Sequence, residues 1–363
     1  MITVPTLLLD EQKCRKNIRT MAQKARHHQL SFRPHFKTHQ SLKVAEWFRD
    51  EGVDKITVSS LDMALYFMEG GWNDITVAFP VNILEIEKIN QLASQIKLNL
   101  IAVNVESIRY LSQNLKHPLN VFLKIDVGYH RTGILPNDRK LIDDTLKESK
   151  ESKNITFSGF LGHAGHSYAA KGDKQIEKVH LQSLSIKKEL KAQYESEYPN
   201  LMISLGDTPT CSRMDNFQGV DEIRPGNFAF YDLAQWSIGS CDINQIAVAM
   251  ACPIVAKHSD RNEIIIYGGG VHFSKDRVYN EALGKDFYGF AVPLENNHWK
   301  LPDQKSYLSK ISQEHGTIKA SKEFFNSHEV GDIIGVIPIH SCMTADCMKS
   351  YLSTKGERIL MKN

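Results

Sequence analysis

Over the first two thirds of the chain, short runs of branched and aliphatic residues alternate with longer amphipathic stretches. The runs are LSFRPHF (30–36), KITVSS (55–60), DITVAFP (74–80), LNLIAVNV (98–105), LNVFLKIDVG (119–128), ITFSGFLGH (155–163), LMISLGD (201–207) and DEIRPGNFAFYD (221–232). Each reads as a strand. Between them, SLKVAEWFRDEG, LDMALYFMEGG and ILEIEKINQLASQ carry helical spacing, and two of these end at glycine, as helix C-termini tend to. Eight strands separated mostly by helices predict an α/β fold, a (β/α)8 TIM-type barrel, with an open doubly wound sheet as the rival.

After about residue 240 the rhythm changes. IAVAMACPIVAKH, EIIIYGGGVHFS, YGFAVPLE, SYLSKIS, IIGVIPIHSCMTA and YLSTKGERILMKN are strand-like, with turns and almost no helical periodicity. The expected division is therefore a barrel over residues 1–240 and a β-rich C-terminal domain over 241–363.

Composition narrows the function without choosing it. A chain of 363 residues with 42% hydrophobic and 24% charged residues is an ordinary globular protein with room for a barrel and a smaller partner domain. A net charge of +2 leaves no footprint for nucleic acid or an acidic membrane surface. The opening MITVPTLLLDEQK is too short an apolar run for a signal peptide, and no stretch suits a membrane helix, so a cytoplasmic protein is expected. Six scattered cysteines make no disulfide framework.

Barrel active sites form at the C-terminal ends of the strands. In this register those ends carry Lys37, Asn104, Asp126, Arg131, His163, Asp207, Thr208 and Arg224. Lys37 stands in RPHFKTHQ, beside Phe36 and between His35 and His39. A lysine at a barrel mouth can be merely solvated. A crowded, partly desolvated setting with neighbouring cations would instead lower its pKa and free the amine for Schiff-base chemistry. A phosphate site would make the partner aldehyde pyridoxal phosphate. GDTPT (206–210) offers hydroxyls and N–H groups at a turn, with Thr208 the better ligand and Thr210 a lesser one. RPGN (224–227) offers a glycine that lets backbone amides approach an anion. Either stretch alone also suits an ordinary turn.

Together, RPHFKTHQ, LKIDVGYHRTG, GHAGHSY, GDTPT and EIRPGNFAFYD resemble, in order and spacing, the fold-type III pyridoxal-phosphate enzymes. The chain is most similar to their D-serine dehydratase and D-threonine aldolase branch, which shares a barrel with the alanine racemases. The resemblance covers nearly the whole chain. It implies that Lys37 is the Schiff-base lysine and that Arg131 lies near the cofactor phenolic oxygen and the substrate carboxylate. It further implies that His163 packs on the pyridine face, that Tyr168 contacts the cofactor, that Arg224 faces the pyridine nitrogen, and that Gly226 and Asn227 contact the phosphate. An arginine at that nitrogen keeps it unprotonated and weakens the electron sink. For His163 and His166, packing or loop hydrogen bonds are the bland alternative.

IPIHSCMTADC (337–347) holds the remaining constellation. In an apparent strand, His340 and Cys342 leave the same face, and imidazole and thiolate are favoured zinc ligands, though two make an incomplete site. The resemblance places a zinc-binding His-x-Cys pair here in the D-serine dehydratases, where the aldolases tend to show His-x-Asp. Cys347 and Asp346 are read as structural. The implied activity is a zinc-dependent dehydration of a D-3-hydroxy amino acid (D-serine, D-threonine or D-threo-3-hydroxyaspartate) to a keto acid and ammonia, by a homodimer. The alternatives are a metal-dependent D-threonine aldolase releasing glycine and an aldehyde, and a non-catalytic pyridoxal-phosphate carrier. An alanine racemase is disfavoured because its catalytic tyrosine motif is not recognisable in the second domain.

Overall fold

All eight apolar runs of the first two thirds form strands in the computed structural model, which describes residues 2–362. Apart from β1 (Thr6–Leu9), which pairs elsewhere, they are β2 (Ser31–Phe32), β3 (Ile56–Val58), β4 (Asp74–Pro80), β5 (Lys97–Ala102), β6 (Leu119–Ile125), β7 (Ile155–Gly162), β8 (Met202–Leu205) and β9 (Glu222–Ile223). They are parallel and ordered β2-β9-β8-β7-β6-β5-β4-β3, and a parallel bridge between His35 and Thr57 brings β3 round to the β2 segment. The sheet thus becomes a nearly closed barrel. Its strands read as unbroken apolar runs because both faces are covered. Ile101, Phe122 and Leu161, from three successive strands, form one buried cluster with Ala78 and Met202 packed against it. Burying each large apolar side chain there contributes about 1.5–3 kcal/mol.

β2 and β9 are shorter than their sequence runs. Pro34 and Pro225 cannot donate to a ladder, so pairing stops one or two residues before each. Several polar residues at strand ends start the next helix. Ser60 accepts from the Met63 N–H, Asn104 from Ser107 and Asp207 from Thr210, each an N-cap. Asn104 is therefore accounted for structurally.

By internal contacts the chain falls into two units. One comprises Arg19–Lys37 and Ala45–Gly226, which is the barrel. The other gathers the N-terminal stretch through Ile18, Thr38–Val44 and the chain from Asn227 onward. Its largest element is a mostly antiparallel sheet. Val248–His258 pairs with β1 through Thr6 opposite Ala251, and with Ile333–Pro338 on its other side. β1 also runs parallel to Ser350–Ser353, a pairing that the sequence pattern had not suggested. No helix among the described residues is long and apolar enough to cross a membrane. None of the six cysteines forms a disulfide bond among the described residues.

One sequence expectation fails here. IIGVIPIHSCMTA is not a single strand: the strand ends at Pro338, and Ser341–Met348 is a helix with His340 as its N-cap residue. His340 and Cys342 do not share a strand face. Pro338 closes the ladder, and the polar Ser-Cys-Met-Thr run that follows has no apolar alternation to hold it extended.

Candidate active site

Lys37 sits in the turn after β2, with its backbone N–H 3.3 Å from His35 Nδ1. Phe36 fixes that turn. Its ring is fully buried, 4.8 Å from Phe48, 5.0 Å from Phe67 and 5.1 Å from Trp72. The aromatic side chain that was expected to desolvate the lysine is therefore turned into the core. Lys37 itself is exposed. Its charge is nonetheless felt at His163, which brings the two groups to one rim of the barrel.

His163 follows the last residue of β7. Burial first, and then the cations Lys37, Arg131 and Arg224, push its imidazole down to about 3, against a hydrogen bond to the Gly206 carbonyl that acts upward. A carbonyl only accepts, so Nδ1 carries the proton and the ring is neutral. Gly206 also lies close to Arg224. A Cβ there would lie 3.1 Å from the Arg224 guanidinium.

The D-x-G-x-x-R-x-G stretch wraps around the Asp126 carboxylate, which accepts the N–H groups of Gly128 (2.9 Å), Tyr129 (3.1 Å) and His130 (3.0 Å). Burial works to raise the Asp126 pKa, but the His130 and Gly128 amides hold it below its ordinary value. The loop returns to the sheet at Gly133, whose φ of +129° favours glycine and where a Cβ would fall 2.7 Å from Asp126 N. Arg131, exposed at the crest of the loop, lies 5.1 Å over the Tyr129 ring.

GDTPT ends β8 and opens the helix Thr208–Arg213. Asp207 is spent within the protein, accepting from Ser167 Oγ at 2.9 Å and from both the N–H and the hydroxyl of Thr210 at 2.8 Å. Thr210 is thereby occupied. The Thr208 hydroxyl is buried and has no hydrogen-bond partner among the described residues, while its N–H donates to the Tyr168 hydroxyl at 3.3 Å. An orphaned hydroxyl in the first turn of a helix suits an anion such as phosphate. Arg224 is buried, with Nε donating to Ser204 Oγ at 2.7 Å and Nη2 to the Gly162 carbonyl at 2.8 Å. The Gly226 N–H makes no backbone hydrogen bond among the described residues.

In the second unit, Asn227 turns its amide nitrogen to Asp232 Oδ2 (2.6 Å), Ser341 Oγ (3.1 Å) and Cys342 Sγ (3.5 Å), leaving Oδ1 buried without a partner. The side chain thus supports the helix that carries Cys342. Cys342 Sγ is 3.2 Å from Thr38 Oγ1. Burial works against a charge on His340, but a hydrogen bond to Asp276 and a contact with Cys342 draw its pKa upward. Imidazole and thiol thus meet across a helix N-terminus. Among the described residues no group of three or more His, Cys, Asp or Glu side chains could hold a metal ion. His340 and Cys342 offer two donors of the kinds that zinc takes, fewer than a metal centre needs. Asp346 is paired with Lys349 and accepts from Gln40, in keeping with a structural role.

Residues 9–233 match the model of the alanine racemase N-terminal domain. The chain belongs to that family. It is a fold-type III pyridoxal-phosphate family, as its motifs imply. Residues 247–354 match a putative serine dehydratase domain. A D-serine dehydratase of Dictyostelium discoideum is 27% identical over 96% of this chain and 93% of its own length. The D-threo-3-hydroxyaspartate dehydratase of Delftia sp. HT23 is 24% identical, and its solved structure superposes with a TM-score of 0.90 over 100% of this chain and 98% of that one. A D-threonine aldolase from Filomicrobium marinum gives a TM-score of 0.83 at 17% identity, covering 99% and 95% of the two chains. Those two structural matches show the fold.

Sequence reasoning missed one group of residues. Arg33 and Glu222 are both buried and lie 2.6 Å apart inside the barrel. Their signal was present: each is a charge within a stretch that reads as a barrel strand, a place where an unpaired charge is costly.

Proposed function

We propose that the protein is a pyridoxal-phosphate- and zinc-dependent dehydratase of D-3-hydroxy amino acids, D-serine and D-threo-3-hydroxyaspartate being the first substrates to test. The observation that carries the reading is the buried Thr208 hydroxyl, left without a partner among the described residues in the first turn after a barrel strand, where a phosphate would be held. Similarity to D-serine dehydratase along 96% of the chain supports it.

Bound through its aldehyde to Lys37, pyridoxal phosphate would supply an electron sink for the pair released when the Cα–H bond breaks. Thr208, with the first turn of its helix and the Gly226 N–H, would hold the phosphate. His163 is neutral and locked by Gly206, so it can pack on the ring without adding charge. Arg224 donates and cannot accept, so a nitrogen facing it keeps its lone pair unprotonated. Arg131 would orient the substrate carboxylate with a planar fork. The Lys37 amine, once free of the cofactor, would be the base that takes the α-proton. Zinc on His340 and Cys342 would supply Lewis acidity at the β-oxygen, since hydroxide is a poor leaving group. Loss of water and hydrolysis of the resulting enamine give keto acid and ammonia, pyruvate from D-serine.

A screen of D-serine, D-threonine and D-threo-3-hydroxyaspartate, with ammonia and glycine assayed with and without chelator, tests the reading. Ammonia lost on chelation is expected. Glycine and an aldehyde as the products would replace it with the aldolase. Cofactor binding without turnover of any of the three would leave the carrier.

A further inference from the structure

A chain of buried polar contacts crosses the barrel interior and ends on Arg224. Asp74 Oδ1 accepts from Arg33 Nη1 at 2.6 Å and from Asn99 Nδ2 at 2.9 Å. Arg33 Nε donates to Glu222 Oε2 at 2.6 Å. The other oxygen, Oε1, accepts from Ser204 Oγ at 2.7 Å, and that hydroxyl accepts from Arg224 Nε at 2.7 Å. Arg33, Glu222, Ser204 and Arg224 are all buried.

The direction of every link is fixed. A guanidinium only donates and a carboxylate only accepts, so the single Ser204 proton must point to Glu222 and its lone pair to Arg224. Glu222 is shared by the two guanidiniums, directly by Arg33 and through Ser204 by Arg224, and it is the acid that most favours the Arg224 charge. Nε and Nη2 are both committed, and Nη1 makes no hydrogen bond among the described residues. Removing one link would leave a buried charge uncompensated.

We infer that Glu222, acting through Ser204, is a positioning residue that holds the Arg224 guanidinium in place and sets the charge that would face the pyridine nitrogen. The inference rests on the assignment of the cofactor to Lys37 and Arg224. Lys124, Lys187, Asp207, Cys211 and His163 also surround Arg224 and contribute to its field. They are unchanged in the variants that follow, so the difference between variants isolates the Glu222–Ser204 link.

The test uses holoenzyme of wild type, Glu222→Gln and Ser204→Ala, and reads the pH midpoint of the visible band of the lysine-bound cofactor. Loss of the Glu222 charge leaves the surroundings of Arg224 more positive, so the midpoint should fall by roughly half a unit or more in Glu222→Gln. Ser204→Ala should move it in the same sense. It leaves the Arg33–Glu222 pair intact, so it decides the matter should Glu222→Gln fail to fold. In Ser204→Ala, kcat should also drop several-fold while KM changes little. A wild-type midpoint and kcat in Ser204→Ala would overturn the inference. Borohydride reduction and peptide mapping of each protein separate the two claims. An adduct on a lysine other than Lys37 in wild type removes the cofactor assignment and the inference together. An adduct at Lys37 with unmoved midpoints removes the inference alone.

Discussion

Replacing Thr208 by valine should strengthen the empty protein and weaken its hold on the cofactor, two effects of opposite sign. In the folded chain the Thr208 hydroxyl is buried and lacks a hydrogen-bond partner among the described residues. Leaving such a group unsatisfied costs about 1–3 kcal/mol, and valine keeps the shape while removing the hydroxyl. The N–H contact to Tyr168 survives, because it belongs to the backbone. A net gain of about 1 kcal/mol is expected in the cofactor-free protein, a rise in Tm on the order of 2 °C. With the cofactor, the same change removes a hydrogen bond to a charged phosphate, worth about 1.5–3 kcal/mol. The Kd for pyridoxal phosphate should rise roughly 10- to 150-fold. Scanning calorimetry of the cofactor-free proteins and equilibrium titration with pyridoxal phosphate read the two effects separately. A lower Tm together with an unchanged Kd would show that the hydroxyl has a protein partner and no phosphate role.

Three further outcomes are expected. Arg131→Lys should lower kcat/KM about 100-fold or more while most of the cofactor stays bound, because a point charge does not replace a planar fork on a carboxylate. Steady-state kinetics beside cofactor absorbance check this, and wild-type turnover would refute the role. The His163 imidazole stands at about 3 when folded, far below its ordinary value of 6.5. The unfolded chain therefore binds the extra proton first, so the stability this residue contributes is complete above 6.5 and is lost as pH falls from 6.5 toward 3. Between pH 7 and pH 5 the loss is about 2 kcal/mol, and the urea stability of cofactor-free His163→Gln should lack it. Equal pH dependence in the two proteins would contradict the argument. Cys342→Ala should lose bound zinc by metal analysis and stop releasing ammonia, yet keep its cofactor, because the thiol lies in the other unit's hydrogen-bond network with Thr38 and Asn227.

The barrel was legible because each strand is a nearly unbroken apolar run between helical stretches. Arg131, Asp126 and Thr208 fell at strand ends for the same reason. The setting of Lys37 was not legible. Pattern alone put Phe36 beside the lysine, but the turn sends that ring in among Phe48, Phe67 and Trp72 and leaves Lys37 exposed. Periodicity likewise could not separate a strand from the helix Ser341–Met348, because HSCMTADC is too short and too evenly mixed to show either period. The contacts joining Asp74, Arg33, Glu222 and Ser204 span four separate strand runs, and nothing local announces which charge meets which.

β1 has a consequence for how the chain is made. Its four residues are translated before every barrel strand, but their neighbours in the sheet, Val248–His258 and Ser350–Ser353, are translated only after all of them. Leu7, Leu8 and Leu9 are fully buried once that sheet is complete. Throughout synthesis they form an apolar segment with no sheet to join, the kind of transient surface that chaperones recognise. Folding of the barrel can proceed vectorially, whereas the sheet that takes in β1 can close only once Ser350–Ser353 has emerged.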